Sequence, residues 1–184
     1  MVFGLFRKNA KSEPPKAGSL VAAPITSLVS VVPDESRLAQ LGPVLWQDVR
    51  YGMTPGEVAG VRSNATRSPQ DQRLHDGATA QLVIPRFRIG GHDYSVLFYF
   101  KGGTLTQVTI KTNGGPELSD FHDLVGALRL RYGQEVQMKV SHDSFSSAEW
   151  LSADGTNISL ICQPNIDCLN VNFQYRYADA ARQL

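Results

Sequence analysis

The feature that most constrains the fold is a strict alternation of apolar and polar residues over positions 168–177. The apolar members are Leu169, Val171, Phe173, Tyr175 and Tyr177. The polar members between them are Asn170, Asn172, Gln174 and Arg176. Successive side chains of a strand point to opposite faces, so the pattern predicts one buried face and one wet face. Strands of this kind are typical of antiparallel sheets, because parallel sheets are buried on both faces.

The same period of two recurs between short turn signals. We predict strands at residues 81–89, 94–100, 104–112, 135–141, 146–152, 157–162 and 168–177. Gly90-Gly91, Gly102-Gly103 and Asp154-Gly155 are typical of tight hairpin turns. Pro85 has no backbone N–H to donate, so its strand should be an edge strand or carry a bulge there. Residues 64–77 are polar, and we expect them to form a loop.

The clearest helix start lies at Thr54, whose hydroxyl can accept a backbone N–H as an N-cap. Pro55 suits the first helical position, and Glu57 can complete a capping box with Thr54. Met53 and Val58 are spaced for a hydrophobic staple around this cap. A shorter helix is predicted upstream, after a second N-cap signal at Asp34.

A third helix is predicted from an apolar stripe at alternating spacings of three and four residues. The stripe consists of Leu118, Phe121, Val125, Leu128 and Tyr132. Gly133 is placed to end the helix, since glycine adopts positive φ angles readily. We expect the stripe to pack against Val171 and Phe173 of the last strand.

The element order predicts an α+β fold, in which an antiparallel sheet or sheets carry helices packed on one face. The order is helix, three strands, helix and four strands, so we predict two helix-plus-three/four-strand units in tandem. The units span residues 45–113 and 116–178, within one α+β domain of residues 34–184.

Residues 1–33 are predicted to be a flexible or partner-bound tail, outside a domain that folds without them. Pro14-Pro15 and Gly18 interrupt regular structure, and so polar a segment cannot offset the entropy of ordering itself. Residues 20–32 suit strand addition to a sheet edge, as a mode of partner binding. The first residues combine an apolar patch with basic charge, which fits a protein groove or weak contact with lipid headgroups. These residues are Phe3, Leu5, Phe6, Arg7 and Lys8.

The charge balance argues against a nucleic-acid partner. The 184-residue chain carries 18 basic and 17 acidic residues, a net charge of +1, whereas nucleic-acid binders are usually markedly basic. No apolar run approaches the ~20 residues that span a bilayer. At the N-terminus apolar residues precede basic ones, the reverse of a secretory signal. We therefore expect a cytoplasmic protein. If the protein is peripheral to the inner membrane, we expect its N-terminal tail to make the contact with the membrane.

The residues that carry chemistry do not form a catalytic pattern. The histidines are His75, His92, His122 and His142, and none has metal-ligand spacing with another ligand. Asp120, His122 and Asp123 share a helical turn, where a solvated face is favoured over acid–base chemistry. Cys162 and Cys168 are expected to face each other across a hairpin as free thiols, with a disulfide, redox pair or metal site as alternatives. We expect no enzyme activity, no cofactor and no small-molecule substrate.

Several phrases resemble the SmpA/OmlA (BamE) lipoproteins, whose fold is similar to the β-lactamase inhibitor protein. The phrases are Gly52-Met53-Thr54 followed by Val58, the stretch from Phe98 to Val108, Tyr132-Gly133 after Leu128, and Ala148-Glu149-Trp150. The resemblance covers residues 46–178, and its motifs are signals for turns and for the ends of helices and strands. The secretory signal and lipidated cysteine of that family are not seen, so outer-membrane assembly is not implied. The resemblance implies a non-catalytic domain that binds another protein through its sheet or helical face.

These observations predict a non-catalytic protein-binding or accessory subunit of a bacterial protein assembly. A cytoplasmic inhibitor or immunity-type protein is the alternative, and a small enzyme is a further one. Besides the tail residues named above, the predicted partner-binding residues are Arg86, Arg88, Asn170, Asn172 and Gln174. Arg86 and Arg88 would form a basic strip with Lys101 and Lys111, or else protect the sheet edge from aggregation.

Overall fold

The computed structural model describes residues 28–141 and 145–175. The helices are α1 (Glu35–Gln40), α2 (Pro55–Val61) and α3 (Leu118–Tyr132). The strands are β1 (Val44–Trp46), β2 (Val49–Arg50), β3 (Thr66–Arg67), β4 (Thr79–Ile89), β5 (His92–Lys101), β6 (Thr104–Thr112), β7 (Gln137–Lys139), β8 (Ser146–Leu151), β9 (Thr156–Gln163) and β10 (Cys168–Tyr175). A 3-10 turn, Pro164–Ile166, connects β9 to β10.

Eight strands form one antiparallel sheet in the order β3-β4-β5-β6-β10-β9-β8-β7, and β1 and β2 form a separate two-stranded sheet. Each strand of the large sheet pairs with a neighbour in sequence except at the centre, where β6 pairs with β10. The prediction of mixed α and β content with antiparallel sheets is therefore confirmed.

Strand β4 shows how local sequence shapes the sheet. The register between β4 and β5 shifts between Ile84 and Phe87, which confirms the predicted irregularity at Pro85. The prediction that residues 64–77 form only a loop is wrong, because Thr66 and Arg67 pair with Val83 and Leu82 as β3. Two residues without apolar alternation give no strand signal in the sequence, so this pairing depends on the position of β4.

One side of the large sheet is apolar across six strands. The register aligns one buried row of Ile84, Val96, Ile110, Val171, Leu160 and Ala148. A second buried row consists of Leu82, Phe98, Val108, Phe173, Ile158 and Trp150. These rows belong to one hydrophobic core, which also contains the buried apolar side chains of α2 and α3.

Helix α3 contributes Phe121, Leu124, Val125 and Leu128 to this core. Its backbone lies nearest to β8 and β9, and its apolar side chains share one core with Val171 and Phe173 of β10. Tyr132 reaches β10, with its ring centroid 6.5 Å from that of Phe173. Gly133 ends α3 with φ +81°, a conformation that favours glycine. Within the described part of the chain, no helix is long and apolar enough to cross a membrane.

Helix α2 begins as predicted, with a complete capping box between Thr54 and Glu57. The Thr54 N–H donates to Glu57 Oε2 at 2.7 Å, and the Glu57 N–H donates to Thr54 Oγ1 at 3.3 Å. Met53 and Val58 are fully buried in the same core, as the predicted staple requires. Asp34 caps α1 by accepting the Arg37 N–H at 2.8 Å.

Residues 28–32 lie against α2, although the sequence predicts a tail up to residue 33. The Val31 N–H donates to the Gly56 carbonyl oxygen at 3.0 Å, and Leu28 packs against the core. Gly56 and Gly60 allow the close approach, since a Cβ atom on Gly60 would lie 2.2 Å from the Val31 carbonyl oxygen. A chain that begins at Asp34 would lose these contacts. The rest of the predicted tail, residues 1–27, lies outside the described residues.

Gly60→Ala should therefore lower the free energy of unfolding by about 1–3 kcal/mol, because the atoms in the way are backbone atoms that cannot rotate aside. Gly126→Ala is the matched control, since a Cβ atom there would meet nothing within 4 Å. The control should be neutral or stabilising by up to about 1 kcal/mol, because alanine is the better helix former. Urea unfolding followed by circular dichroism measures both. Equal effects of the two changes would show that residues 28–32 are not held against α2.

Candidate functional site

The candidate site is the side of the large sheet that faces away from the core, on strands β6, β10, β9 and β8. We call this surface the polar face. Its polar side chains include Gln107, Thr109, Lys111, Asn170, Asn172, Gln174, Asn157, Ser159, Ser147 and Glu149. The register places them in rows, with Asn172 between Thr109 on β6 and Ser159 on β9, followed by Glu149 on β8.

Asn172 is the centre of a hydrogen-bond network across three strands. Its Oδ1 accepts hydrogen bonds from Thr109 Oγ1 at 2.9 Å and from Gln107 Nε2 at 3.3 Å. Its Nδ2 donates to Ser159 Oγ at 3.3 Å. Gln107 also donates to Thr109 Oγ1 at 2.8 Å and accepts from Gln174. Each amide is held in one orientation by these bonds, so the face presents donors and acceptors of fixed direction.

Burial on the polar face is graded. Gln107 and Thr109 are only 6% and 5% exposed, and both have hydrogen-bond partners. Asn172, Ser159 and Gln174 remain partly exposed, and so can also meet a binding partner. Asn170 donates to Cys168 Sγ at 3.3 Å, while its Oδ1 is buried and has no hydrogen-bond partner.

The same side of the sheet is covered at β4 and β5 by the loop of residues 68–78. Leu74 of this loop packs on a small apolar cluster that includes Val83, Leu97 and Tyr99. The Tyr99 hydroxyl donates to Gln72 Oε1 at 3.3 Å, and burial raises the pKa of Tyr99. The loop thus closes one half of this side and borders the polar face.

Two cavities of about 660 Å³ each lie along this border. The first lies between the loop, the first half of β5 and the C-terminal end of β6. Its lining includes Gln72, Ser95, Leu97, Lys111 and Asp167. The second lies at the other end of the strands, and its lining includes Tyr51, Lys101, Gln107, Gln174 and Tyr175. Both volumes are large enough to accept side chains of a bound protein.

The structure brings together only some of the predicted partner-binding residues. Asn170, Asn172 and Gln174 lie on the polar face, on consecutive outward positions of β10. Arg86 and Arg88 are exposed on β4, beyond the bulge. The predicted residues Phe3, Leu5, Phe6, Arg7 and Lys8 lie outside the described residues.

The basic strip is not continuous. Arg88 pairs with Asp93 at 3.2 Å near the start of β5, whereas Lys101 lies at its end, 3.9 Å from Asp76. The predicted four-residue strip is therefore divided between two ends of a strand, and each end carries a compensating carboxylate.

The prediction that Cys162 and Cys168 face each other is wrong. Cys162 pairs with Leu169 and is fully buried in the core, whereas Cys168 pairs with Gln163. The offset of one residue places the two thiols on opposite faces of the sheet, because side chains alternate along a strand. Both are free thiols, and burial raises both of their pKa values.

Asp120 and His122 of α3 have different surroundings. Asp120 Oδ1 lies 3.3 Å from His92 Nε2 of β5, and Asp120 Oδ2 accepts the Glu117 N–H at 2.8 Å. His122 is exposed. Among residues 28–141 and 145–175, no group of three or more His, Cys, Asp or Glu side chains is placed to hold a metal ion. His142 lies outside these ranges.

Sequence reasoning missed Gln107, Thr109 and Ser159, which complete the network around Asn172. They occupy alternate positions of β6 and β9, so the period of two contains a signal for them. Only the pairing of β6 with β10 shows that they meet. No protein-family model, curated protein or solved structure matches this chain.

Proposed function

We propose that the chain is a non-catalytic protein-binding or accessory subunit, and that it binds its partner through the polar face. The observation that carries the proposal is the network around Asn172, in which Asn172, Ser159 and Gln174 are partly exposed and already held by hydrogen bonds. Groups held in place before binding lose little conformational entropy when a partner arrives. Amide and hydroxyl groups do not titrate near neutral pH, so the network around Asn172 offers hydrogen bonds rather than acid–base chemistry.

The finer fold prediction belongs to the same proposal. We take residues 45–113, with α2 and β3–β6, and residues 116–178, with α3 and β7–β10, as two units in tandem, joined through their last strands β6 and β10. The strand order supports this division, since each unit contributes four consecutive strands to one half of the sheet. The shared core of α2, α3 and the apolar rows supports packing of the helices on one side. The polar face, on the opposite side of the sheet, is then left for binding.

The cytoplasmic location and the role of Phe3, Leu5, Phe6, Arg7 and Lys8 in partner or membrane contact stay predictions from the sequence. In this proposal they act together with the polar face, since a tethered second contact raises the effective concentration of the first.

Ser159→Arg should strongly weaken partner binding while the domain stays folded, because a long charged side chain would block the centre of the polar face. Ser63→Arg is the matched control, as Ser63 is exposed on the chain after α2 and lies outside the polar face. Affinity purification of tagged full-length chains from native extract, with quantitative mass spectrometry, measures the partner. We expect recovery to fall by about tenfold or more with Ser159→Arg only, as for the centre of an interface.

The two variants should have melting temperatures within a few degrees of the wild type. If a partner is recovered equally with both variants, the polar face is not the binding surface. If the wild type recovers no stable partner, the protein-binding function itself is contradicted.

A further inference from the structure

Strand β7 forms one outer edge of the large sheet. Within residues 28–141 and 145–175 it pairs with β8 alone, through Gln137, Met138 and Lys139. An outer strand has backbone N–H and C=O groups on its free side, and these can pair with a strand of another molecule. All three residues of β7 are exposed.

The exposed side chains around β7 are sorted by face. Met138 pairs with the buried Ala148, so it lies on the apolar side of the sheet. Val136 and Val140, which flank β7 two residues before and after Met138, are also exposed apolar side chains. These three side chains are 67%, 36% and 40% exposed in chain order. Gln137 and Lys139 lie on the opposite side. A free edge with exposed apolar side chains is the kind of edge that soluble proteins usually avoid or cover.

We propose that β7 pairs with β7 of a second copy of this chain, antiparallel and centred on Met138. A two-fold axis at Met138 places it opposite the partner's Met138, and places Val136 opposite the partner's Val140. The two apolar rows then meet on one side of a continuous sheet. Because the contact is the same on both chains, it closes as a dimer and does not extend into a fibre.

The charges of the edge suit this self-pairing. On the other side, Gln137 lies opposite the partner's Lys139, and Lys139 lies opposite the partner's Gln137. No like charges are therefore directly opposed, although a lysine on an edge strand usually discourages pairing. The residues on the two sides of Met138 are thus compatible with each other across a two-fold axis. A homodimer requires this compatibility, whereas pairing with an unrelated strand does not require it.

The proposal makes opposite demands on Gln137 within the chain and between chains. Within the chain, Gln137 lies opposite Glu149 of β8. Gln137→Lys should therefore favour the pairing of β7 with β8, because the new lysine lies opposite Glu149. It should disfavour the dimer, because the same lysine would lie opposite the partner's Lys139. Gln137→Glu should do the reverse. A change in dimerisation cannot then be explained by loosening of β7, because the two effects have opposite signs.

Sedimentation equilibrium of the full chain over a range of concentrations gives the dissociation constant of the dimer. The wild-type mass should rise from 20.2 kDa toward twice that value as concentration increases. Gln137→Lys should raise the dissociation constant by about tenfold, and Gln137→Glu should lower it severalfold, as expected for two symmetric cross-strand pairs. A wild-type chain that stays monomeric at all concentrations, or equal effects of the two changes, would overturn the proposal.

Cysteine cross-linking tests the register. In a Cys168→Ser background, Met138→Cys should form disulfide-linked dimers, because directly opposed residues lie within disulfide distance. Val136→Cys is the control, since it is more exposed than Met138 but would lie four residues from its own copy across the axis. A mixture of the Val136→Cys and Val140→Cys chains should cross-link. If the Met138→Cys chain by itself and the Val136→Cys chain by itself cross-link equally, the disulfides form by random collision, and the centred register is contradicted.

Discussion

Replacing Trp150 by alanine should lower the free energy of unfolding by about 3–5 kcal/mol, as removal of a large buried aromatic side chain does. Trp150 lies on β8, is 1% exposed and packs in the core beneath α3. Its indole N–H also donates to the Gly133 carbonyl oxygen at 3.0 Å, and so connects β8 to the C-terminal end of α3. The alanine variant therefore loses core volume and a hydrogen bond between two elements.

Trp150→Phe separates these two contributions. It keeps much of the volume but cannot donate to Gly133, and we expect a loss of about 1–2 kcal/mol. Leu151→Ala is the matched control on the same strand, because Leu151 is 46% exposed. It should change stability by less than about 0.5 kcal/mol. Guanidinium unfolding followed by circular dichroism measures all three. A Trp150→Ala chain within about 1 kcal/mol of the wild type would show that β8 is not part of the core.

The second large effect is expected at Glu57, which connects α1 to α2. Glu57 is 7% exposed, and its carboxylate accepts hydrogen bonds from Arg37 at 2.6 and 3.1 Å as well as from the Thr54 N–H. Glu57→Ala removes both the capping box and the ion pair, and we expect a loss of about 2–4 kcal/mol. The value is below that of a fully buried pair because Arg37 is 34% exposed and can be hydrated.

The same carboxylate predicts a pH dependence with a definite sign. The hydrogen bond from Arg37 lowers the pKa of Glu57 from 4.5 to about 2. The folded chain therefore binds the proton less tightly than the unfolded chain, so the stabilisation is present above the unfolded pKa. It should be lost as the pH falls from about 5 toward about 2.

Glu57→Gln should flatten this part of the stability profile, measured by urea unfolding at several pH values. Glu135 needs a parallel measurement, because the hydrogen bond from Arg129 lowers its pKa to about 2 as well. Glu135→Gln should leave the Glu57 contribution intact. A wild-type profile that is flat from about pH 5 to about pH 2 would contradict both assignments.

The helix and turn signals that could be predicted from the sequence are local. The capping box joins Thr54 to Glu57, three residues apart, and Gly133 meets the backbone requirement at the end of α3. The alternation in β10 predicts which of its side chains lie on the apolar side of the sheet and which lie on the polar side. Such interactions join neighbours in the chain, so each can be predicted without knowledge of the rest of the molecule.

Pairings between distant segments were decided only by the tertiary structure. The partner of Glu57 is Arg37, twenty residues away. Gln107, Thr109 and Asn172 meet because β6 pairs with β10 at the centre of the sheet. Cys162 and Cys168 are separated by a register offset of one residue, which no turn signal specifies. The physical reason is the same in each case: strand order and register depend on the burial of the whole apolar side, and a sequence pattern shows which face of a strand is apolar without showing which strand lies beside it.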